Sequence, residues 1–422
     1  MLIEFSVTNY RSIKGTQSFS MSASKGDELK GTNTFSLEYP NKLELLSSAA
    51  IYGPNAAGKS NFLRAMATMS DIVAFSASNH QEADRFDIEP FKLDPVSLDE
   101  PSEFEIVFIA DGVRYQYGFS ATKTKIHDEW LMAYPKGRTQ RWFSRVWDVS
   151  SNSYKWDLGN ALTGDKNIWM KATRDDALFL STAIQLNSAQ LKPIYDWFQL
   201  KLRFTNVSGW SDDYSAGLCT SEKKLEILNF LKAADIDIDD ILVKKEKFDP
   251  SSLPESMPEH VRELISKNMK DKDVFDIKTQ HKNVNGELIP FEFEDESDGT
   301  RKLFSFSGPW LHSLKKGNVL LIDELHDNLH PKLVHFLVKL FHSRTTNPNN
   351  AQLIFTTHET SILTQDIFRR DQIWFCDKLE DKATIIYPLS SFSPKKGREN
   401  LEISYLSGRY GALPFIGDLE VL

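Results

Sequence analysis

Two cysteines, Cys219 and Cys376, are all that the 422 residues contain, so neither a disulfide framework nor a four-cysteine metal site organises this chain. Long apolar runs are missing as well, since none approaches the ~18 residues of a membrane span. Residues Met1 to Val7 alternate apolar and polar like a first β-strand and lack the continuous apolar core of a signal peptide. A bacterial-type cytoplasm is therefore the expected location, away from any membrane. Positive charge is not in excess either. A net charge of −9 gives nucleic-acid binding no general electrostatic support, although a local patch would suffice for it. The basic stretches, 244–247, 267–272 and 395–398, are short and read more simply as solvated faces than as DNA contacts. Heptads are not sustained, and neither an internal repeat nor a long low-complexity tract is present.

What remains is an ordinary globular composition, 41% hydrophobic and 26% charged, on a chain long enough for two lobes. Within it, Gly53-Pro54-Asn55-Ala56-Ala57-Gly58-Lys59-Ser60 is a complete G-x-x-x-x-G-K-[ST] phosphate-binding loop. The short run Leu46 to Tyr52 before it suits a buried strand, and Phe62, Met66, Met69 and Val73 after it recur at helical spacing. Strand, glycine loop and helix together aim a helix N-terminus at phosphate groups. The backbone of residues 55–58 and the Asn61 end of the loop would cradle the phosphates. Lys59 would bridge the β- and γ-phosphates of a nucleoside triphosphate, and the Ser60 hydroxyl would ligate Mg²⁺.

A second cluster lies far downstream. Val319 to Ile322 form an apolar strand that delivers Asp323 and Glu324 at its end. Asp323 would complete the Mg²⁺ site, and Glu324 would act as general base toward the attacking water. The alternative is a buried strand ending in an acidic turn. Asp323 stands 264 positions after Lys59, more than a simple P-loop domain needs, so a segment is inserted. Its candidate is a helical lobe over 166–280, where Leu178, Leu180, Leu191, Ile194 and Trp197 and then Ile227, Phe230 and Leu231 recur. The flanking stretches, 1–165 and 281–422, would be the two halves of one head.

Ser297-Asp298-Gly299-Thr300 precedes a helical pattern that Gly308-Pro309 interrupts, and it fits an anion-binding turn and an ordinary capped turn equally. Gln352 to His358 is another strand with a polar tip, where His358 is either structural or a sensor of the γ-phosphate. His326 and His330 are four apart, but a zinc site would need further ligands at suitable spacing.

The order P-loop, Ser-x-Gly, strand-Asp-Glu, strand-Thr-His resembles the ABC-type ATPase heads of SMC and RecF proteins. Asn9-Tyr10-Arg11-Ser12-Ile13, Asp323-Glu324-Leu325-His326, Leu329-His330-Pro331 and the closing 408–415 motif narrow it further. With these the chain resembles the AbiL/RloA-like and OLD-like ATPases of bacterial abortive-infection systems. The resemblance implies an α/β fold, namely an ABC-type P-loop NTPase head with a mixed sheet, flanking helices, an antiparallel β part and an inserted helical lobe. It also implies a homodimer, or a higher oligomer, with ATP sandwiched between copies. Ser297 and Gly299 of one copy would cap the nucleotide of the other, 327–330 would be the D-loop, and Arg11 and Ser12 would lie near the nucleotide. Asp298 and Thr300 stand where transporter-type signatures carry Gly and Gln, and Gln116 is an unconvincing Gln-loop candidate.

OLD-type relatives carry a Toprim nuclease domain after the ATPase, and the 64 residues beyond His358 leave no room for one. The expectation is an ATPase that gates a separate nuclease or toxin in antiphage defence. A RecF/SMC-like repair ATPase that clamps nucleic acid is the alternative, and a scaffold without useful turnover is the third reading.

Overall fold

Short, wholly apolar runs become the parallel strands of a six-stranded sheet. Its order is Leu202–Thr205, Val319–Ile322, Gln352–Thr356, Ser48–Tyr52, Ile373–Lys378 and Thr384–Pro388, with only the last strand antiparallel to its neighbour. Every residue of the three central strands is buried, as expected of strands covered on both faces. These features come from a computed structural model that describes residues 1–38, 42–78, 86–205, 209–254, 257–269 and 273–414. Phe415 of the closing motif and residues 270–272 of the second basic stretch lie outside them.

The chain divides into two compact units: Met1–Val207 with Ser313–Asp327 and Val334–Leu422, and Ser208–His312 with Asn328–Leu333. The first holds the parallel sheet and a seven-stranded antiparallel sheet that runs from Ser153–Leu158 to Leu2–Thr8 and Gln17–Ser20. Strand Leu2–Thr8 buries Phe5 and Val7 and exposes Glu4, the alternation of a sheet with one covered face. Phe5 and Phe19 pack on Phe62 of helix Lys59–Phe75, whose Phe62, Met66, Met69 and Val73 are all buried. Glu129, fully buried, accepts from the N–H groups of Phe179 (2.6 Å) and Leu180 (3.0 Å) and lies 3.3 Å from Arg145. That carboxylate fastens the antiparallel sheet to the start of helix Phe179–Gln185. The result is the mixed α/β head with an antiparallel β part that the sequence resemblance implied. Among the described residues no helix is long and apolar enough to cross a membrane.

The stretch read as helical over 166–280 is split between the units. Lys166–Ala172, Phe179–Gln185 and Lys192–Asp196 stay in the first unit and lead into Leu202–Thr205, an edge strand of the parallel sheet. Four residues are too few to show a period, so pattern alone hides this strand. The second unit is α/β, with helices Asp212–Cys219, Lys224–Ala233 and Glu259–Met269 and a sheet of Asp240–Lys247, Asp273–Lys282 and Leu288–Glu292. The first basic stretch lies on the edge strand of that sheet. There Lys245 and Lys247 each reach Asp273 at 2.8 Å, and Lys244 pairs with Glu246.

Gly308-Pro309 does not interrupt the helix that the signature opens, which runs unbroken over Asp298–Lys316. A proline inside a helix lacks the N–H that its i−4 carbonyl needs. Here that carbonyl belongs to Ser305, and the buried hydroxyl of Ser215 donates to it at 3.2 Å. The same oxygen accepts from the Gly308 N–H at 3.1 Å, so one side chain meets two backbone groups of the turn that precedes the proline. Replacing Ser215 with Ala strands a buried carbonyl, a loss of about 1–3 kcal/mol. Amide exchange over residues 300–312 should then accelerate by roughly an order of magnitude, and an unchanged rate in hydrogen-exchange mass spectrometry would refute the repair.

Candidate active site

The P-loop strand Ser48–Tyr52 ends at Gly53, and helix Lys59–Phe75 begins six residues later. Gly53 is indispensable for space, because a Cβ there would lie 2.1 Å from the carbonyl oxygen of Cys376. Gly58 has φ +111°, a backbone that L side chains rarely adopt, and a Cβ on it would lie 2.1 Å from Thr384 Oγ1. The helix has no side-chain N-cap, so its first N–H groups are offered to an external anion. Asn55 and Ala56 form the exposed tip of the loop, whereas Ala57 is buried. A cradle of this shape, with one buried cation at its base, fits a nucleotide's phosphates.

Lys59 is that cation, 5% exposed. Its ammonium donates to the carbonyls of Gly53 (2.8 Å) and Pro54 (3.0 Å) and lies 3.2 Å from His358 Nε2. Burial draws its pKa below the usual lysine value, while nearby Glu324 and Asp323 oppose that. His358 is pushed down to about 4, by burial first and then by the charge of Lys59 and the neighbouring His326. With the ring neutral, Lys59 donates and Nε2 accepts, which assigns the ring proton to Nδ1.

Strand Val319–Ile322 delivers Asp323 and Glu324 to the same edge of the sheet. Thr356, at the end of the adjacent strand, donates from its hydroxyl to Asp323 Oδ1 at 2.6 Å and accepts from the Glu324 N–H at 2.7 Å. Glu324 takes a left-handed backbone, φ 51°, and its Oε1 lies 3.9 Å from His358 Nε2. Lys59, Asp323, Glu324 and His358 thus meet at the C-terminal ends of three adjacent parallel strands, where open α/β sheets bind their ligands. Ser60 is half-buried in the first turn of the helix, and its hydroxyl and the Asp323 carboxylate are oxygen donors of the kind that Mg²⁺ would take.

Ser12 also reaches the loop, accepting from Asn61 Nδ2 at 2.9 Å. Arg11 turns elsewhere: its guanidinium holds Asp87 at 2.6 Å and the Tyr10 hydroxyl at 3.0 Å. Gln116 sits in the antiparallel sheet and accepts from Tyr134 at 2.9 Å. In the second unit, Ser297 caps its helix by accepting from the Thr300 N–H at 3.2 Å. A Cβ on Gly299 would stand 3.1 Å from the Asn328 carbonyl, so the residue after Ser297-Asp298 packs tightly under the backbone at Asn328. His330 accepts from the Lys332 N–H at 3.2 Å, a local turn. Sequence reasoning passed over Thr356 and Thr384. The first stood in view within Thr-Thr-His, and the second carries no motif.

A family model described as "AAA domain, putative AbiEii toxin, Type IV TA system" matches residues 48–364, most of the chain. A comparison with curated proteins finds no match. Among solved structures, the chain is similar to the SmcHead bound to the C-winged helix domain of ScpA, at 12% identity over 92% of this chain and 97% of that one, TM-score 0.38. It is also similar to the recombination mediator protein RecF-ATPrS in the RecFOR pathway, at 14% identity over 92% and 98%, TM-score 0.37.

The depressed pKa of His358 sets an acid limit on the site. The folded protein holds His358 neutral down to about pH 4, whereas the unfolded chain protonates it near 6.5. Stability is therefore lost as pH falls through that interval, and none of this loss occurs above it. His358→Gln cannot charge, so between pH 7 and pH 4 its melting temperature should fall less than that of the wild type. Parallel melting curves across the interval would show that His358 titrates normally.

Proposed function

This chain belongs to the AAA-domain family of AbiEii-toxin type, and from that premise we propose that it is an ATP-hydrolysing switch of a bacterial antiphage system that controls a separate effector protein. One observation carries the ATPase reading. A buried lysine ammonium, a neutral histidine and a glutamate stand in sequence, 3.2 and 3.9 Å apart, at the end of the P-loop strand and its neighbours. The loop N–H groups and Lys59 would bind the β- and γ-phosphates. Ser60 and Asp323 would hold Mg²⁺, which when bound offsets charge on the phosphate oxygens. Glu324 would take a proton from the water that attacks the γ-phosphorus, as the bond to the β-phosphate oxygen breaks and ADP leaves. His358, neutral at pH 7, would hydrogen-bond the γ-phosphate or the water once Lys59 turns from it to the phosphates. Ser297 and Gly299 of a second copy would close over the nucleotide, making the ATP-bound form a dimer.

The family's description speaks of a toxin–antitoxin system, which supports a chain that works with a separately encoded protein. The reading of a RecF/SMC-like DNA clamp meets less support, since the chain is acidic overall and its first basic stretch is matched by Asp273 and Glu246.

Phosphate release should report turnover by the wild type and a loss of about 10²–10⁴-fold in Glu324→Gln. That variant should keep its nucleotide and shift from monomer to dimer in light scattering when Mg-ATP is added. Wild type without turnover would leave only the scaffold reading. Capture of the Glu324→Gln form with ATP should yield one stoichiometric protein partner, and salt-sensitive DNA binding in its place would favour the clamp.

A further inference from the structure

We propose that Thr384, in the antiparallel edge strand Thr384–Pro388, is a positioning residue for the P-loop, and that nucleotide affinity depends on its hydroxyl. The inference rests on the ATP-binding reading of the site. Thr384 stands 325 positions after Lys59 and belongs to none of the phosphate-binding motifs, yet it touches the loop directly. Its Oγ1 lies 2.7 Å from the Ala57 carbonyl oxygen and 2.8 Å from Ser12 Oγ. Its backbone N–H donates to the Ser12 carbonyl at 2.7 Å, and the residue is 1% exposed.

A carbonyl only accepts, so the Thr384 hydroxyl is the donor to Ala57. The same hydroxyl is also directed at Ser12 Oγ, which accepts from the Asn61 amide as well. Residues 61, 12, 384 and 57 thus form one hydrogen-bonded cluster, drawn from three distant parts of the sequence and ending on the loop itself.

Its effect follows from peptide geometry. A trans peptide is planar, with C=O and N–H on opposite sides. Anchoring the Ala57 carbonyl on Thr384 therefore fixes the Gly58 N–H to point the other way. Phosphate cradles are built from such N–H groups, and their affinity depends on these being oriented in advance. Contact with Gly58 makes the fit exclusive, because a Cβ there would stand 2.1 Å from Thr384 Oγ1 and 2.7 Å from Ser12 Oγ. The edge strand is held in register by its Ile386 N–H, which donates to Gln17 Oε1 at 2.9 Å. The β-hairpin that ends in Thr384 thus clamps the loop from outside the nucleotide site.

The test compares Thr384→Val, which keeps the β-branched shape and loses both hydroxyl bonds, with Thr384→Ser, which keeps them. Titration with a fluorescent ATP analogue should show a dissociation constant raised about tenfold or more in the valine variant. The serine variant should return to within about twofold of wild type, as a bond carried by the hydroxyl requires. KM should rise in the valine variant while kcat at saturating ATP changes far less, the split expected when ground-state binding alone is lost. Equal affinity in a valine variant that melts like the wild type overturns the inference, as does an equal loss in the serine variant. If the valine variant does not fold, Thr384→Ala removes the same hydroxyl and its bond to Ala57 with less bulk, and unchanged affinity there overturns it instead. A wild type that binds no nucleotide refutes the ATP reading itself and this inference with it.

Discussion

A lysine ammonium taken out of water needs acceptors around it, and the arrangement of the first unit follows from where Lys59 finds them. Leaving such a charge buried without partners costs several kcal/mol. Two of its partners are the carbonyls of Gly53 and Pro54, which turn inward only because the chain folds back over the helix start. His358 is the third, and as an acceptor it must be neutral, which burial first and then the ammonium favour by lowering the histidine pKa. The carboxylates of Asp323 and Glu324 are near enough to steady the charge. A cation, a base, an acceptor ring and a phosphate-shaped loop are thus mutually dependent. None of them holds its state without the others.

That dependence extends into the backbone. Glu324 in the left-handed region costs of the order of 1–2 kcal/mol for a residue with a side chain. The Glu324 N–H to Thr356 and the Thr356 hydroxyl to Asp323 together outweigh it, since a hydrogen bond to a carboxylate contributes about 1.5–3 kcal/mol. The balance explains why an unfavourable conformation persists beside the reacting groups. It also explains why a plain threonine occupies the strand end: a hydroxyl can donate to a carboxylate and accept from an N–H at once, and a valine of the same shape can do neither.

The sequence was legible where chemistry constrains consecutive residues. A loop that must curl round phosphates needs Gly53, Gly58, Lys59 and Ser60 in fixed order, and a strand that ends in Asp323 and Glu324 announces itself by four apolar residues before them. The parallel core could be read for the same reason. Legibility failed where a role is set by residues distant in the chain. Thr384 is one threonine among many until the fold brings it to Ala57. Ser12 and Arg11 are neighbours in one motif, but only Ser12 faces the loop, because the tight turn between Tyr10 and Ile13 sends the two side chains to different partners. Gly308-Pro309 looks like a break in any local reading, and only Ser215, far upstream, removes it. Leu202–Thr205 fails for a simpler reason, being shorter than the period that would betray it.

Thr384, Ser12 and Gly308-Pro309 have this in common: the behaviour of each is decided by another element. This matters for the site as a whole. The loop at 53–58 can be recognised from eight consecutive residues, but its geometry is held by residues 12, 358, 376 and 384. Contacts separated by hundreds of residues form late and at high entropic cost, since long loops must close before they contribute. A strong local motif therefore specifies which chemistry the site performs, while the competence to perform it waits on strands that carry no motif at all. Coupling follows from the same physics. Anything that displaces the hairpin ending in Thr384 or the strand tip carrying Thr356 acts on the phosphate cradle and on Glu324 without touching either one's recognisable sequence.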